Sequence, residues 1–125
     1  MAKSKILIVD DEPNVVIVIK DRLEAKGYET ITAKDGEEAL AKARSEEPDL
    51  ILLDIMLPKM DGFKVCRMLK FDERYKQIPI VMLTAKATQA DVKTGKETGA
   101  DAYMVKPFDF DTLLMTIERL LEKKE

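Results

Sequence analysis

The chain has 125 residues, enough for one domain with a real core, and its 46% hydrophobic and 36% charged content describes a soluble globular protein. Its formal charge of −3, from 21 basic and 24 acidic residues spread along the chain, leaves no basic footprint for nucleic acid, and the absence of histidine removes the usual zinc ligand and general base. No apolar stretch approaches the roughly 18 residues of a membrane span, and Met1-Ala2-Lys3-Ser4 leads into a strand without a signal peptide, so a cytoplasmic protein with no membrane partner is expected.

Ile6-Leu7-Ile8-Val9 is a continuous apolar run that stops on Asp10-Asp11, the pattern of a strand buried on both faces of a parallel sheet, and predicts a first strand near 5–10. Pro13 suits a first helical turn, Asp11 and Glu12 place negative charge at the helix N-terminus, and Gly27 suits a left-handed cap, which predicts a helix near 13–26. Its run Val15-Val16-Ile17-Val18-Ile19 favours strand by propensity, but a parallel sheet needs a crossover here. At about 100° per residue Val15, Val18, Ile19 and Leu23 share one face, predicted to turn inward, with Val16 at its border and Ile17 opposite and exposed. Ile17 reads either as an ordinary surface residue or as part of a docking surface for a partner helix.

Glu29-Thr30-Ile31-Thr32-Ala33 alternates instead, as a half-buried edge strand does. A helix near 36–46 follows, and Pro48 closes the segment before Leu50-Ile51-Leu52-Leu53, which stops on Asp54 in a strand near 49–54. The helix near 62–70 carries Cys66, read as a small core residue because no imidazole exists to activate it; as the sole cysteine it excludes an internal disulfide. Pro79 precedes Ile80-Val81-Met82-Leu83, which stops on Thr84 in a strand near 79–84. A helix near 88–98 has few apolar anchors and an internal Gly95, which costs about 1 kcal/mol against alanine and marks it as weakly held. Ala102-Tyr103-Met104-Val105 stops on Lys106, Asp109 is placed to cap a last helix near 109–122, and Glu122-Lys123-Lys124-Glu125 reads as a fraying end. Five strands and five helices fill residues 1–125 as a single domain: an α/β, flavodoxin-like, doubly wound (βα)5 fold with a parallel sheet in the order 2-1-3-4-5.

The carboxyl ends of parallel strands gather along one edge, where ligands usually bind. Asp10, Asp11, Asp54, Thr84 and Lys106 would then share one small space. Three carboxylates and one ammonium sum to −2, a group that repels itself unless protonated or neutralised by a divalent cation. With oxygen ligands alone, hard Mg²⁺ is favoured over zinc or copper, and such a site reads as one for phosphoryl transfer. An aspartate can carry a phosphoryl group as an acyl phosphate without a base, since it is already ionised. Asp54, alone at the end of a central strand, is the preferred acceptor; the paired Asp10 and Asp11 suit the metal, and Thr84 and Lys106 suit the phosphoryl oxygens.

Asp10-Asp11, Leu52-Leu53-Asp54-Ile55-Met56-Leu57-Pro58 with Met60-Asp61-Gly62, Thr84-Ala85 and Lys106-Pro107-Phe108, in this order and at these separations, closely resemble the response-regulator receiver domains of two-component signalling, from the first strand to the last helix. The resemblance implies that Asp54 takes a phosphoryl group from the phosphohistidine of a sensor histidine kinase. It implies that Asp11, Asp54 and the backbone carbonyl of Met56 bind Mg²⁺ with help from Asp10, and that Thr84 and Lys106 contact the phosphoryl group. It further implies a cis bond before Pro107 and a switch in which Tyr103 turns inward as Thr84 moves, altering the face of the fourth helix, fifth strand and fifth helix for a downstream protein partner.

Such a protein is a phosphoacceptor, not a turnover enzyme. Without an output domain in the sequence, direct nucleic-acid binding is not expected; the chain acts alone or is a piece of a larger, for example DNA-binding, regulator. A flavodoxin-type electron carrier would need a loop rich in Gly, Ser or Thr where this chain has Asp10-Asp11-Glu12-Pro13. A Mg²⁺-dependent aspartyl phosphatase usually places a second acid where this chain has Met56.

Overall fold

A computed structural model describes residues 3–85 and 96–123. Its strands are β1 (Lys5–Val9), β2 (Glu29–Ala33), β3 (Leu50–Asp54), β4 (Ile80–Thr84) and β5 (Ala102–Val105). They form one parallel sheet in the order β2-β1-β3-β4-β5. The described helices are α1 (Pro13–Ala25), α2 (Gly36–Glu46), α3 (Gly62–Lys70) and α4 (Phe110–Lys123). The helix expected near 88–98, with its Gly95, lies largely outside the described residues.

Two cores sandwich the sheet because successive side chains of a strand point to opposite faces. Leu7, Val9, Ile51, Leu53, Ile80 and Met82 pack on one side against Ala39, Leu40 and Ala43 of α2 and Val65, Cys66 and Leu69 of α3. Ile6, Ile8, Leu50, Leu52, Val81 and Leu83 pack on the other against Ile19 and Leu23 of α1 and Leu113, Ile117 and Leu120 of α4. Strands covered on both faces must be apolar throughout, which is why their sequences run without alternation. At the edges the demand relaxes: β2 and β5 are mostly half-buried.

Local chemistry sets the borders. Asp61 caps α3 by accepting from the Lys64 N–H at 3.0 Å, and Asp109 caps α4 through the Thr112 N–H at 3.3 Å. Cys66 is fully buried, its Sγ 3.6 Å from the Thr98 carbonyl, and burial pushes its thiol pKa up, as befits a core residue. Ile17 is exposed, as expected of its position, but Val18 is exposed to the same 55%. Val18 was expected to turn inward; it borders instead an apolar groove between α1 and the segment 106–111, whose walls include Pro107, Phe108 and Phe110. The Arg22 guanidinium lies 5.2 Å over the Phe110 ring at this groove.

Candidate functional site

Strand register decides which polar residues meet. Val9 lies opposite Leu53, so Asp10 and Asp54 leave the sheet at the same level; Asp54 lies opposite Leu83 and Thr84 opposite Val105, so Thr84 and Lys106 follow within a residue each. Backbone hydrogen bonds carry the alignment past the strands, from the Asp10 N–H to the Ala33 carbonyl, the Ile55 N–H to the Leu83 carbonyl and the Lys106 N–H to the Thr84 carbonyl.

Lys106 ties the cluster together. Its Nζ lies 2.7 Å from Asp10 Oδ2, 3.5 Å from Asp54 Oδ2 and 3.8 Å from Glu12 Oε1. Asp10 and Asp54 are buried, at 2% and 4% exposure. Burial alone would push the Lys106 ammonium down, but the hydrogen bond and charge of Asp10, joined by Asp54 and Glu12, outweigh it and hold the group above its ordinary value. For Asp54 the balance tips the other way: burial first, then the charge of Asp10, push its carboxyl up to about 6, against the pull of Lys106 and of the Met56 N–H that donates to Oδ1 at 3.2 Å.

Three carboxylates, of Asp10, Glu12 and Asp54, each offer an oxygen within 4.8 Å of the others. Charge in excess of what one ammonium balances, presented entirely by oxygen, fits a hard divalent cation. Glu12 is the member that reading the sequence missed. Its signal is the turn it sits in: Asp10 Oδ1 accepts from the Glu12 N–H at 2.9 Å, folding Glu12 back toward the site. Asp11, expected among the ligands, is exposed and stands outside this trio, beside Pro13, Ile17 and Lys34.

Thr84 is fully buried at the end of β4. Tyr103 is half-buried on β5 and packs against the α2/α3 core. The Met56 side chain points outward at 57% exposure, leaving its backbone as the part that faces Asp54. The Lys106–Pro107 bond is cis. Close approach needs Gly62 at the start of α3: a Cβ there would run into the backbone oxygen of Asp54 and lie 2.8 Å from Ile55 Cα.

A model of the response regulator receiver domain matches residues 6–118. The chain is 49% identical over 121 residues to the alkaline phosphatase synthesis transcriptional regulatory protein PhoP of Bacillus subtilis, covering 97% of this chain and 50% of that protein. It is 44% identical over 121 residues to the DNA-binding dual master transcriptional regulator RpaA of Synechocystis, with 97% and 50% covered. It thus spans about half the length of the curated relatives it matches. Among solved structures, chemotaxis protein CheY4 of Vibrio cholerae is 39% identical with a TM-score of 0.89, covering 95% of this chain and 99% of that one. A CheY-like receiver domain protein from Methanospirillum hungatei is 32% identical with a TM-score of 0.92, covering 98% and 97%. Sheet order, strand-end motifs and these likenesses agree: the chain belongs to the response regulator receiver domain family and to phosphorelay signalling.

Proposed function

We propose that Asp54 accepts a phosphoryl group from the phosphohistidine of a sensor histidine kinase in a Mg²⁺-dependent reaction. The observation that carries this reading is the buried Asp54 carboxylate at the end of a central strand, with Lys106 Nζ between it and Asp10. An Asp54 oxygen bonds to phosphorus as the bond from phosphorus to the donor's imidazole nitrogen breaks, the electron pair leaving with the imidazole. Lys106 supplies positive charge to the phosphoryl oxygens and Thr84 a hydroxyl.

Receiver domains generally bind Mg²⁺; here Asp54, Asp10, Asp11 and the Met56 carbonyl would hold it, with Glu12 close by, and when bound it neutralises charge on the transferred group. The raised pKa of Asp54 reflects its burial first and then the charge of Asp10, and such a cation would offset both. The protein serves as phosphoacceptor, not turnover enzyme, in a cytoplasmic setting.

Acetyl phosphate with Mg²⁺, read by intact mass, tests the reading: wild type gains one phosphoryl group and Asp54→Ala gains none. Equal labelling of both sinks the assignment. The switch is proposed to run from Thr84 through Tyr103 to the face made by the predicted 88–98 helix, β5 and α4, where an unidentified downstream protein would bind. Unchanged amide shifts on β5 and α4 after addition of Mg²⁺ and beryllofluoride would exclude it.

A second reading is favoured by the relatives, regulators about twice as long as this chain and in part described as DNA-binding. On it, the receiver controls an attached DNA-binding part. An antibody to this chain would then detect, in the native cells, a protein well above 14.2 kDa.

A further inference from the structure

The β2–α2 corner, residues 33–36, adds no side chain to the cluster of Asp10, Asp54 and Lys106, yet it touches backbone on both sides of it. On one side the Ala33 carbonyl accepts from the Asp10 N–H at 3.1 Å. On the other, Gly36 lies against residues 55–61, which lead from Asp54 into α3. A Cβ on Gly36 would run into the Met60 carbonyl oxygen and lie 2.7 Å from Met60 Cβ, closer than such atoms approach.

Asp35, 5% exposed, stands between these contacts. Its Oδ1 accepts from the Glu38 N–H at 2.8 Å and caps α2, while Oδ2 faces Lys59 Nζ at 3.7 Å. Where the corner meets the loop, the loop turns sharply: Lys59 has φ of 68° and the Met60 N–H donates to the Pro58 carbonyl at 2.7 Å. Ile55 and Leu57 anchor the first part of the loop on the α2/α3 core, Pro58 and Lys59 are exposed, and half-buried Met60 anchors the far end with its seat against Gly36. The same loop carries Met56, whose N–H reaches Asp54.

We propose that the β2–α2 corner positions the loop 55–61 for Mg²⁺ binding, with Gly36 as a positioning residue whose missing side chain lets Met60 seat. This rests on the reading of Asp54 as a phosphoacceptor and of the Met56 carbonyl as a cation ligand. Alanine is the better helix former, so harm from Gly36→Ala comes from the contact and not from the helix. Met60→Ala keeps the Cβ and carbonyl that meet Gly36 but removes the outer side-chain atoms that anchor half-buried Met60 on the α2/α3 core, and so loosens the seat from the loop side.

The test is a titration with Mg²⁺ alone, followed by the amide shifts of residues 54–57, in wild type and both variants, with thermal melts alongside. The half-saturating Mg²⁺ concentration is expected to rise about 10-fold in Gly36→Ala and about 3-fold in Met60→Ala, since displacement of a positioned group by about 1 Å is costly. The melting temperature of Met60→Ala should stay near that of wild type. Folded variants with wild-type Mg²⁺ dependence, even if less heat-stable, overturn the proposal; should Gly36→Ala not fold, Met60→Ala decides alone. A wild type that neither responds to Mg²⁺ nor takes label from acetyl phosphate brings down the phosphoacceptor reading, and the proposal with it, whereas failure of positioning alone leaves wild-type labelling intact.

Discussion

Leu53 and Asp54 are neighbours on β3, exposed to 0% and 4%, yet burial works in opposite directions on them. Along the strand bodies, apolar surface removed from water stabilises the fold by roughly 25 cal/mol per Å². At the carboxyl ends, Asp10 and Asp54 lose hydration that Lys106 restores only in part, and the raised pKa of Asp54 registers the deficit. The same five strands therefore carry two regions, one that stabilises the molecule and one that is held in place against its own repulsion. The cost at the ends is what a bound divalent cation can relieve.

The contrast can be broken at the strand bodies first. Leu52→Ala, at a fully buried position, should cost about 3 kcal/mol in urea unfolding while acetyl phosphate labelling per folded molecule stays at the wild-type level. Lys106→Met should slow labelling about 10²-fold, or about 2.7 kcal/mol of barrier, with Asp54 still the residue labelled. An unaltered rate would mean that Lys106 serves only to keep Asp10 buried.

Asp54→Asn sharpens the contrast from the other side. A pKa raised from 3.8 to about 6 means that the folded state holds the Asp54 proton more tightly than the unfolded state does. That contribution to stability is present below about pH 4 and lost as the pH rises through about 6. Without divalent cations, Asp54→Asn should therefore be more stable than wild type at pH 7 by roughly 3 kcal/mol, with the gap closing toward pH 4. A constant gap across that range would show that ionisation of Asp54 is not its source. The smallest effect is expected at Ile17→Lys on exposed α1, within about 0.5 kcal/mol of wild type. A lower affinity for a kinase at unchanged stability would favour the docking alternative for this residue.

Much of this was legible in the residues. Every interior strand announced itself as an apolar run, and each described element begins and ends within a residue of its expected place, because caps and breakers such as Pro13, Asp109 and Pro79 act locally. Val18 departs from the helical pattern because periodicity says which residues share a helix face, not how far a neighbouring element reaches across it; segment 106–111 leaves a groove there. Glu12 does not stand out in the sequence because side-chain direction in a turn depends on a hydrogen bond, here from its N–H to Asp10 Oδ1.

Apolar patterning and local caps are properties of short segments, and they suffice for the sheet, its order of burial and the identity of the polar residues at the strand ends. Which oxygens stand within 4.8 Å of one another, how Lys106 is shared between Asp10 and Asp54, and the meeting of Gly36 with Met60 emerge from the packed fold alone. Those contacts join residues far apart in the chain, and strand register and the packing of helices on the sheet set them to within an ångström, a precision that no local pattern carries.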